Sequence, residues 1–397
     1  MSLPSGPKEV LQASKLSTLE LVFLVLLVQT CVVLVLSLVL HVSPAFVGSD
    51  PIHGFSMDFY DFWHAGVYYV NGISPYAEKR FLTPPFSLLI GLPYQRLSFE
   101  EARYFWLIVN LACIGGALAA FAEQIGMRWR ETALLFMIAG LFYPAHFLVE
   151  RGNIDGVVMA LLVFAFRARQ KIASVMLYAA SMGLKLYSGL LVFPLLRKKR
   201  WWLACGSVLL AAALQLPWWR FAIQYPQVLS HRTDRFLTIE NISGALCVQT
   251  LFALCRLPAW KIFYAGAWVI TLGLRLWRLS PEDDNADWVT FVPWMISMPF
   301  VVYPYSAILT LPLMAYTAQR EPSGLGKKFL LLGFLLIGTQ QNVWRELLSR
   351  VMSDTMWVYQ LNSAGVVLML AGSCAAAWQQ GEKPAAATGH SIAGVAS

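Results

Sequence analysis

Two carboxylates three residues apart, Asp58 and Asp61, and one lysine, Lys185, are the side chains best placed to do chemistry. The carboxylates lie in the aromatic stretch Met57-Asp58-Phe59-Tyr60-Asp61-Phe62-Trp63-His64, just beyond a first apolar run. The lysine interrupts another apolar run, in Gly183-Leu184-Lys185-Leu186-Tyr187-Ser188-Gly189. Insertion scales put Asp or Lys at the centre of a membrane helix at roughly +2.5 to +3.5 kcal/mol. Ionisable groups kept in such a setting are candidates for function. A carboxylate at the membrane–water boundary can take a proton from an acceptor hydroxyl. It must come within about 2.6–3.2 Å of the oxygen, and contributes typically about 10²–10⁴ in rate. A lysine in apolar surroundings must be neutral, reach water or hold an anion, and a phosphate head group is a suitable anion.

Each candidate also has a structural reading. Asp58 and Asp61 share one face of a helix, which Asn71-Gly72 would end, so they could serve as its N-cap and an acidic first-turn residue. Lys185 could pair with a buried carboxylate such as Asp155. His231, Arg232 and Arg235 offer donors for phosphate, which suits the arginine fork, or form a solvated loop face. His53, His64 and His146 lack metal-ligand spacing and read as hydrogen-bonded interfacial histidines; His64, on the Asp58 helix, and Asp61 are the candidates to assist Asp58.

The elements that must position these residues are membrane helices. Of 397 residues, 58% are hydrophobic and only 13% charged, with mean hydropathy +0.58. Soluble domains carry about a quarter charged residues. The apolar segments are continuous and not alternating, which excludes a β-barrel and leaves an all-α polytopic integral membrane protein. The net charge of +8 does not imply nucleic acid, because Lys and Arg sit in short clusters at the ends of apolar runs. All six cysteines lie in apolar segments without a CxxC, so neither a disulfide framework nor a zinc site is supported.

Residues 1–20 form a short polar head, expected in the cytoplasm. The first span, 21–42, is too long for a signal-peptide core. Outer loops are expected at 43–101, 218–258 and 344–356, within a single membrane domain over 1–380, and 381–397 read as a disordered cytoplasmic tail. Within the first loop, Thr83-Pro84-Pro85-Phe86 leads into an apolar segment, 87–94, too short to span. It could lie as an interfacial helix or pack as an ordinary loop. Residues 172–196 are about one span long, yet basic clusters flank both ends: Arg167, Arg169 and Lys171 before, Arg197-Lys198-Lys199-Arg200 after. Both flanks lie on one side only if the segment turns near its middle. Two short helices are therefore predicted, with Lys185 at the tip of their hairpin. Counting these as two, about twelve helices are expected, with both termini cytoplasmic.

These residues have a recognisable order. Asp58, Ala65-Gly66, Gly72, Pro75-Tyr76 and Pro84-Pro85 resemble the first outer loop of the polyprenyl-phosphate-mannose-dependent mannosyltransferases, a family of the GT-C glycosyltransferase superfamily. Gly152-Asn153-Ile154-Asp155 resembles the family's Gly-Gln/Asn turn, and Gly183-Leu184-Lys185-Leu186-Tyr187 its lysine-containing turn. Asn241-Ile242-Ser243 resembles an Asn-x-Ser element of a later loop. The likeness covers roughly residues 55–245. It implies a GT-C-type bundle with a large first outer loop and Asp58 as the catalytic base. Lys185, with His231, Arg232 and Arg235, would hold the donor phosphate; Asn153, Asp155, Tyr187 and Asn241 would line the site. The reaction implied is an inverting transfer, needing no metal or other cofactor, from a polyprenyl-phosphate sugar to a lipid or glycan acceptor. The site would face outward from a bacterial plasma membrane. Departures occur at Leu82-Thr83, where an aromatic often precedes Pro-Pro, at Tyr187-Ser188, where a proline is often near, and at Asn153, where Gln is frequent. The competing classes are a GT-C transferase using a pentose-phospholipid and a lipid or solute transporter.

Overall fold

The chain breaks where the lysine sits. In the computed structural model, α8 (Lys171–Leu184) ends at Lys185, whose backbone is extended at φ −142° and ψ 118°. A 3₁₀ helix, Leu186–Leu191, and a six-residue helix, Val192–Arg197, follow. The structure describes residues 16–39, 56–77, 81, 83–230, 245–255, 259–279, 285–298, 304–320, 324–339, 344, 348–349 and 357–381.

Among these residues every regular element is helical. In chain order they are α1 (Thr18–Val39), α2 (Met57–Val70), α3 (Leu88–Gly91), α4 (Phe99–Gln124), α5 (Trp129–Leu141), α6 (Tyr143–Arg151), α7 (Asp155–Arg167), α8 and α9 (Val192–Arg197). There follow α10 (Trp201–Ala213), α11 (Trp219–Ala222), α12 (Tyr225–Ser230), α13 (Ala245–Leu254), α14 (Trp260–Trp277), α15 (Val292–Ile296), α16 (Thr310–Arg320), α17 (Leu325–Ile337) and α18 (Trp357–Gly381).

Three contacts fix the direction of the hairpin. The Lys171 ammonium lies 5.7 Å from the Trp202 ring centroid, Ser207 Oγ donates to Val175 O, and Gln215 Nε2 donates to Gly183 O. The sequence offset stays nearly constant, so α8 and α10 run parallel. The connection through Lys185 and α9 must therefore travel back the length of α8, as the flanking basic clusters predict. The same reasoning pairs α4 with α7. Trp106 Nε1 donates to Gly152 O at one end, and Arg167 bonds Glu123 and Ala120 O at the other.

The bundle thus has two ends. Arg167, Lys171 and Arg197–Arg200 gather at one. At the other lie the start of α2, the α6–α7 turn and Lys185. A capping box starts α4: Ser98 Oγ accepts from Glu101 N at 3.3 Å, and Glu101 Oε2 accepts from Ser98 N at 2.9 Å. Between α5 and α6 the chain bends by 62° at Phe142, just before Pro144. Farther along, α17 and α18 meet through glycines. A Cβ on Gly365 would sit 2.8 Å from Gly333 O, so the close approach needs hydrogen there.

Four described helical stretches are long and apolar enough to cross a membrane: Thr18–Val39, Phe99–Gln124, Trp201–Ala222 and Gln360–Gln379; the bent α5–α6 pair makes five. The protein is thus an all-helical membrane protein. Of the other expected crossings, 259–277 is the single 18-residue helix α14, and 288–303 is described only as far as 298, where a 3₁₀ helix leads into the five-residue α15. The segment 218–258 was expected to be an outer loop. It carries α13, a ten-residue helix with Gln249 and Thr250 among its apolar residues, which is too short to span. Residues 231–244, most of 344–356 and 382–397 lie outside the described residues.

Candidate active site

The turn between α6 and α7 organises the site. Gly152 ends α6 in the left-handed region, at φ 66° and ψ 32°, which glycine adopts at no steric cost. A Cβ there would meet Phe59 Cβ at 2.9 Å and Ser56 Cβ at 3.1 Å. The start of α2 therefore rests directly on the turn. Ser56 N donates to Glu150 O at 2.7 Å, Trp106 Nε1 donates to Gly152 O at 2.6 Å, and the Phe59 and Trp106 rings stack at 5.2 Å.

This docking aims Asp58 at the turn. Its Oδ1 accepts from Arg151 Nε at 2.9 Å and Nη2 at 2.7 Å, and its Oδ2 accepts from Asn153 Nδ2 at 2.6 Å. Arg151 Nη1 also reaches Met57 Sδ, at 3.2 Å. A carboxylate has about four acceptor positions. Three contacts from described residues leave one on Oδ2. Asp58 keeps 14% of its side-chain surface exposed.

Two residues beyond Asn153, Asp155 opens α7 and is fully buried. The Tyr187 hydroxyl donates to its Oδ1, and Lys185 Nζ lies 3.6 Å from its Oδ2. The pairing of Lys185 with Asp155, one of the two readings of the sequence, is thus present. The Lys185 side chain is 18% exposed, whereas Asp155 is fully buried. One five-residue stretch, 151–155, holds Asp58 on one flank and the Lys185 turn on the other. Consecutive residues span at most ~3.3–3.6 Å each, so Asn153 and Asp155 are at most about 7 Å apart along the chain.

The remaining candidates divide. Asn153, Asp155 and Tyr187 join the constellation. Asp61 lies three residues on along α2, half-buried, with Oδ1 shielded from solvent. His64 packs along the helix between Tyr60 and Tyr68, at centroid distances of 5.2 and 4.4 Å. It is six residues from Asp58, about 9 Å along the axis and on another face. His231, Arg232, Arg235 and Asn241 lie outside the described residues. Arg151 is a partner of Asp58 that the sequence analysis did not single out. The available signal was a cation at a turn expected to lie outside, where the positive-inside rule disfavours one.

The Pro-Pro segment supports this end. The 3₁₀ turn Pro85–Ser87, α3 and the 3₁₀ turn Leu92–Tyr94 pack under α2, where Gln95 Nε2 donates to Trp63 O at 2.9 Å. Tyr76 donates to Thr83 O at 2.8 Å, and burial pushes its phenol above the ordinary tyrosine range, so it stays a neutral donor.

The family model that matches this chain is that of glycosyltransferase family 87, over residues 81–304, more than half of the 397 residues. The chain belongs to that family, which is of the GT-C type. The matched stretch contains the 151–155 turn and Lys185 and begins after Asp58. No curated protein and no solved structure matches the chain.

Proposed function

We propose that this family 87 glycosyltransferase moves a sugar, in our reading mannose, from a polyprenyl-phosphate donor to a hydroxyl of a lipid or glycan acceptor, with inversion. Asp58 is the general base. It takes the proton from the acceptor hydroxyl as that oxygen attacks the anomeric carbon. The bond from the anomeric carbon to the phosphate oxygen breaks, and polyprenyl phosphate leaves as a monoester carrying the electron pair. Charge grows on that phosphate, so a fixed cation stabilises the transition state more than the ground state. Lys185 supplies it, with Arg232, Arg235 and His231 from the later outer loop. Asn153, Asp155, Tyr187 and Asn241 line the site. A lipid phosphate is already a competent leaving group, so no divalent metal is required.

One observation carries this reading: the 151–155 turn holds both Asp58 and, through Asp155, the Lys185 turn. Orientation rests on the charge distribution. The clustered arginines and lysines occupy the opposite end, which under the positive-inside rule supports a site on the outer face of a bacterial plasma membrane. The full bundle would then have about twelve helices and cytoplasmic termini.

The test is transfer by purified protein from a panel of radiolabelled polyprenyl-phosphate sugars to a membrane lipid extract, with Asp58→Asn alongside. A mannosylated product from the wild type, and a loss of about 10²–10⁴ in rate for Asp58→Asn at normal abundance, are expected. Near-normal turnover by Asp58→Asn would remove the base assignment. A product formed only from a pentose donor would move the substrate.

A further inference from the structure

The Pro-Pro segment touches both halves of the candidate site. At one end its backbone lies against α2. A Cβ on Gly91 would collide with Phe62 O, one helical turn past Asp58, and Gln95 Nε2 donates to Trp63 O at 2.9 Å. At the other end the Phe86 ring rests on Gly183, where a Cβ would come 2.8 Å from Phe86 Cδ1. Gly183 stands two residues before Lys185, in the last turn of α8.

One side chain, Gln215, closes this second contact. It is half-buried and lies just past α10. Because α8 ends at Leu184, Gly183 O is among the carbonyls left without a partner inside the helix. Phe86 N precedes the first hydrogen bond of its 3₁₀ turn, which Ser87 N makes to Pro84 O at 2.9 Å. Phe86 and Gly183 are both buried, so each of these backbone groups needs a partner. One amide supplies both. Gln215 Oε1 accepts from Phe86 N at 2.9 Å, and Gln215 Nε2 donates to Gly183 O at 3.4 Å. The Trp218 ring packs on Phe86 as well, with centroids 6.2 Å apart. Two ties thus join the base helix to the Lys185 turn: the 151–155 turn and the Pro-Pro segment. Lys185 carries its ammonium on a flexible four-carbon stem, so its reach depends on where the helix break is held.

We propose that Gln215 is a positioning residue for the donor phosphate. Its amide locks the Pro-Pro turn onto the break at Lys185 and so fixes where the Lys185 ammonium meets the phosphate. The role rests on the proposed function, in which Lys185 holds that phosphate. It is exercised through Lys185, because the amide oxygen and nitrogen already bond Phe86 and Gly183.

Native mass spectrometry of the full chain in detergent, offered polyprenyl phosphate and the uncharged polyprenol of the same length, tests it. The ratio of the two retentions isolates the phosphate, and a merely destabilising substitution leaves that ratio unchanged. The wild type is expected to prefer the phosphate, and Lys185→Met to reduce that preference about tenfold, the scale of one charge-assisted contact. Gln215→Met keeps the length of the side chain and removes the amide; it is expected to reduce the preference roughly threefold or more, within the range of coupling in one network. Gly183→Ala leaves the amide in place and favours the helix, yet presses Phe86 away, and should reduce the preference likewise. An unchanged preference in Lys185→Met would remove the phosphate reading and this proposal with it. Loss in Lys185→Met with full preference in Gln215→Met would leave that reading standing and overturn the positioning role. Loss in Gln215→Met with full preference in Gly183→Ala would overturn it too, because the amide would then meet the phosphate directly.

Discussion

Arg151 grips Asp58 through two nitrogens on one oxygen, Nη2 at 2.7 Å and Nε at 2.9 Å, while Asn153 holds the other oxygen at 2.6 Å. The fork fixes both the position and the rotation of the carboxylate. A lysine has no such fork. Arg151→Lys is therefore expected to lower kcat by about 10²-fold, the scale of a misplacement of roughly 1 Å, with little change in the donor KM. Steady-state kinetics with each substrate varied would check it. A lysine variant with unchanged kcat would mean that Arg151 supplies charge alone.

Lys185 has two possible employments, and they separate experimentally. Its ammonium is 3.6 Å from Asp155, which also accepts from Tyr187. As a mere partner of Asp155, Lys185 would be replaceable once the carboxylate was neutralised. As a phosphate ligand, it would not. Lys185→Met with Asp155→Asn is expected to recover the stability lost in Lys185→Met alone, yet to leave the donor KM raised about tenfold or more, the worth of one charge-assisted contact. Recovery of both would assign Lys185 a structural role only.

Part of this arrangement was legible from residue order. The hairpin at Lys185 followed from a span-length segment with basic clusters on both flanks, because the cost of burying charge constrains topology without tertiary information. The end of α2 at Asn71-Gly72 followed from local chemistry: Asn71 Nδ2 donates to Val67 O at 2.8 Å, and Gly72 has φ 74°. The grip of Arg151 on Asp58 did not. The two residues are 93 apart in sequence, and only the docking of α2 on the glycine turn brings them together. Neither did the burial of Lys198, since a basic cluster at a span end reads as solvated whichever member turns inward.

Gly152 should tolerate no side chain. Its φ of 66° already strains an L-residue, and a Cβ would press on Phe59 Cβ at 2.9 Å, within the α2 contact that aims Asp58. The left-handed conformation alone costs roughly 1–2 kcal/mol. Gly152→Ala is expected to lower thermal stability by at least that much and to reduce kcat, because α2 must shift to clear the methyl group. Thermal unfolding in detergent, paired with turnover, would show both. A loss of stability with full activity would mean that Asp58 is held by Arg151 and Asn153 regardless of how α2 docks.

The other test lies at the basic end. Lys198 Nζ meets Asp287 Oδ2 at 2.5 Å, with side chains only 5% and 8% exposed. Nearby, Thr290 Oγ1 accepts from Arg275 Nη2 at 2.9 Å and donates to Asp287 O at 2.7 Å. The pair ties the return arm of the Lys185 hairpin to the segment leading into α15. Removing one partner of a buried pair leaves an uncompensated charge, typically at about 3–5 kcal/mol, whereas replacing both by apolar groups of similar volume is often neutral. Lys198→Met is expected to be strongly destabilising, and Lys198→Met with Asp287→Leu to be close to wild type. Because α9 leads directly back to Lys185, the single variant should also raise the donor KM, and the double variant should restore it. A single variant of normal stability would show that Lys198 reaches water instead, and the hairpin would then have to be anchored through other contacts of α9, such as the hydrogen bond from Arg197 Nε to Leu276 O at 3.3 Å.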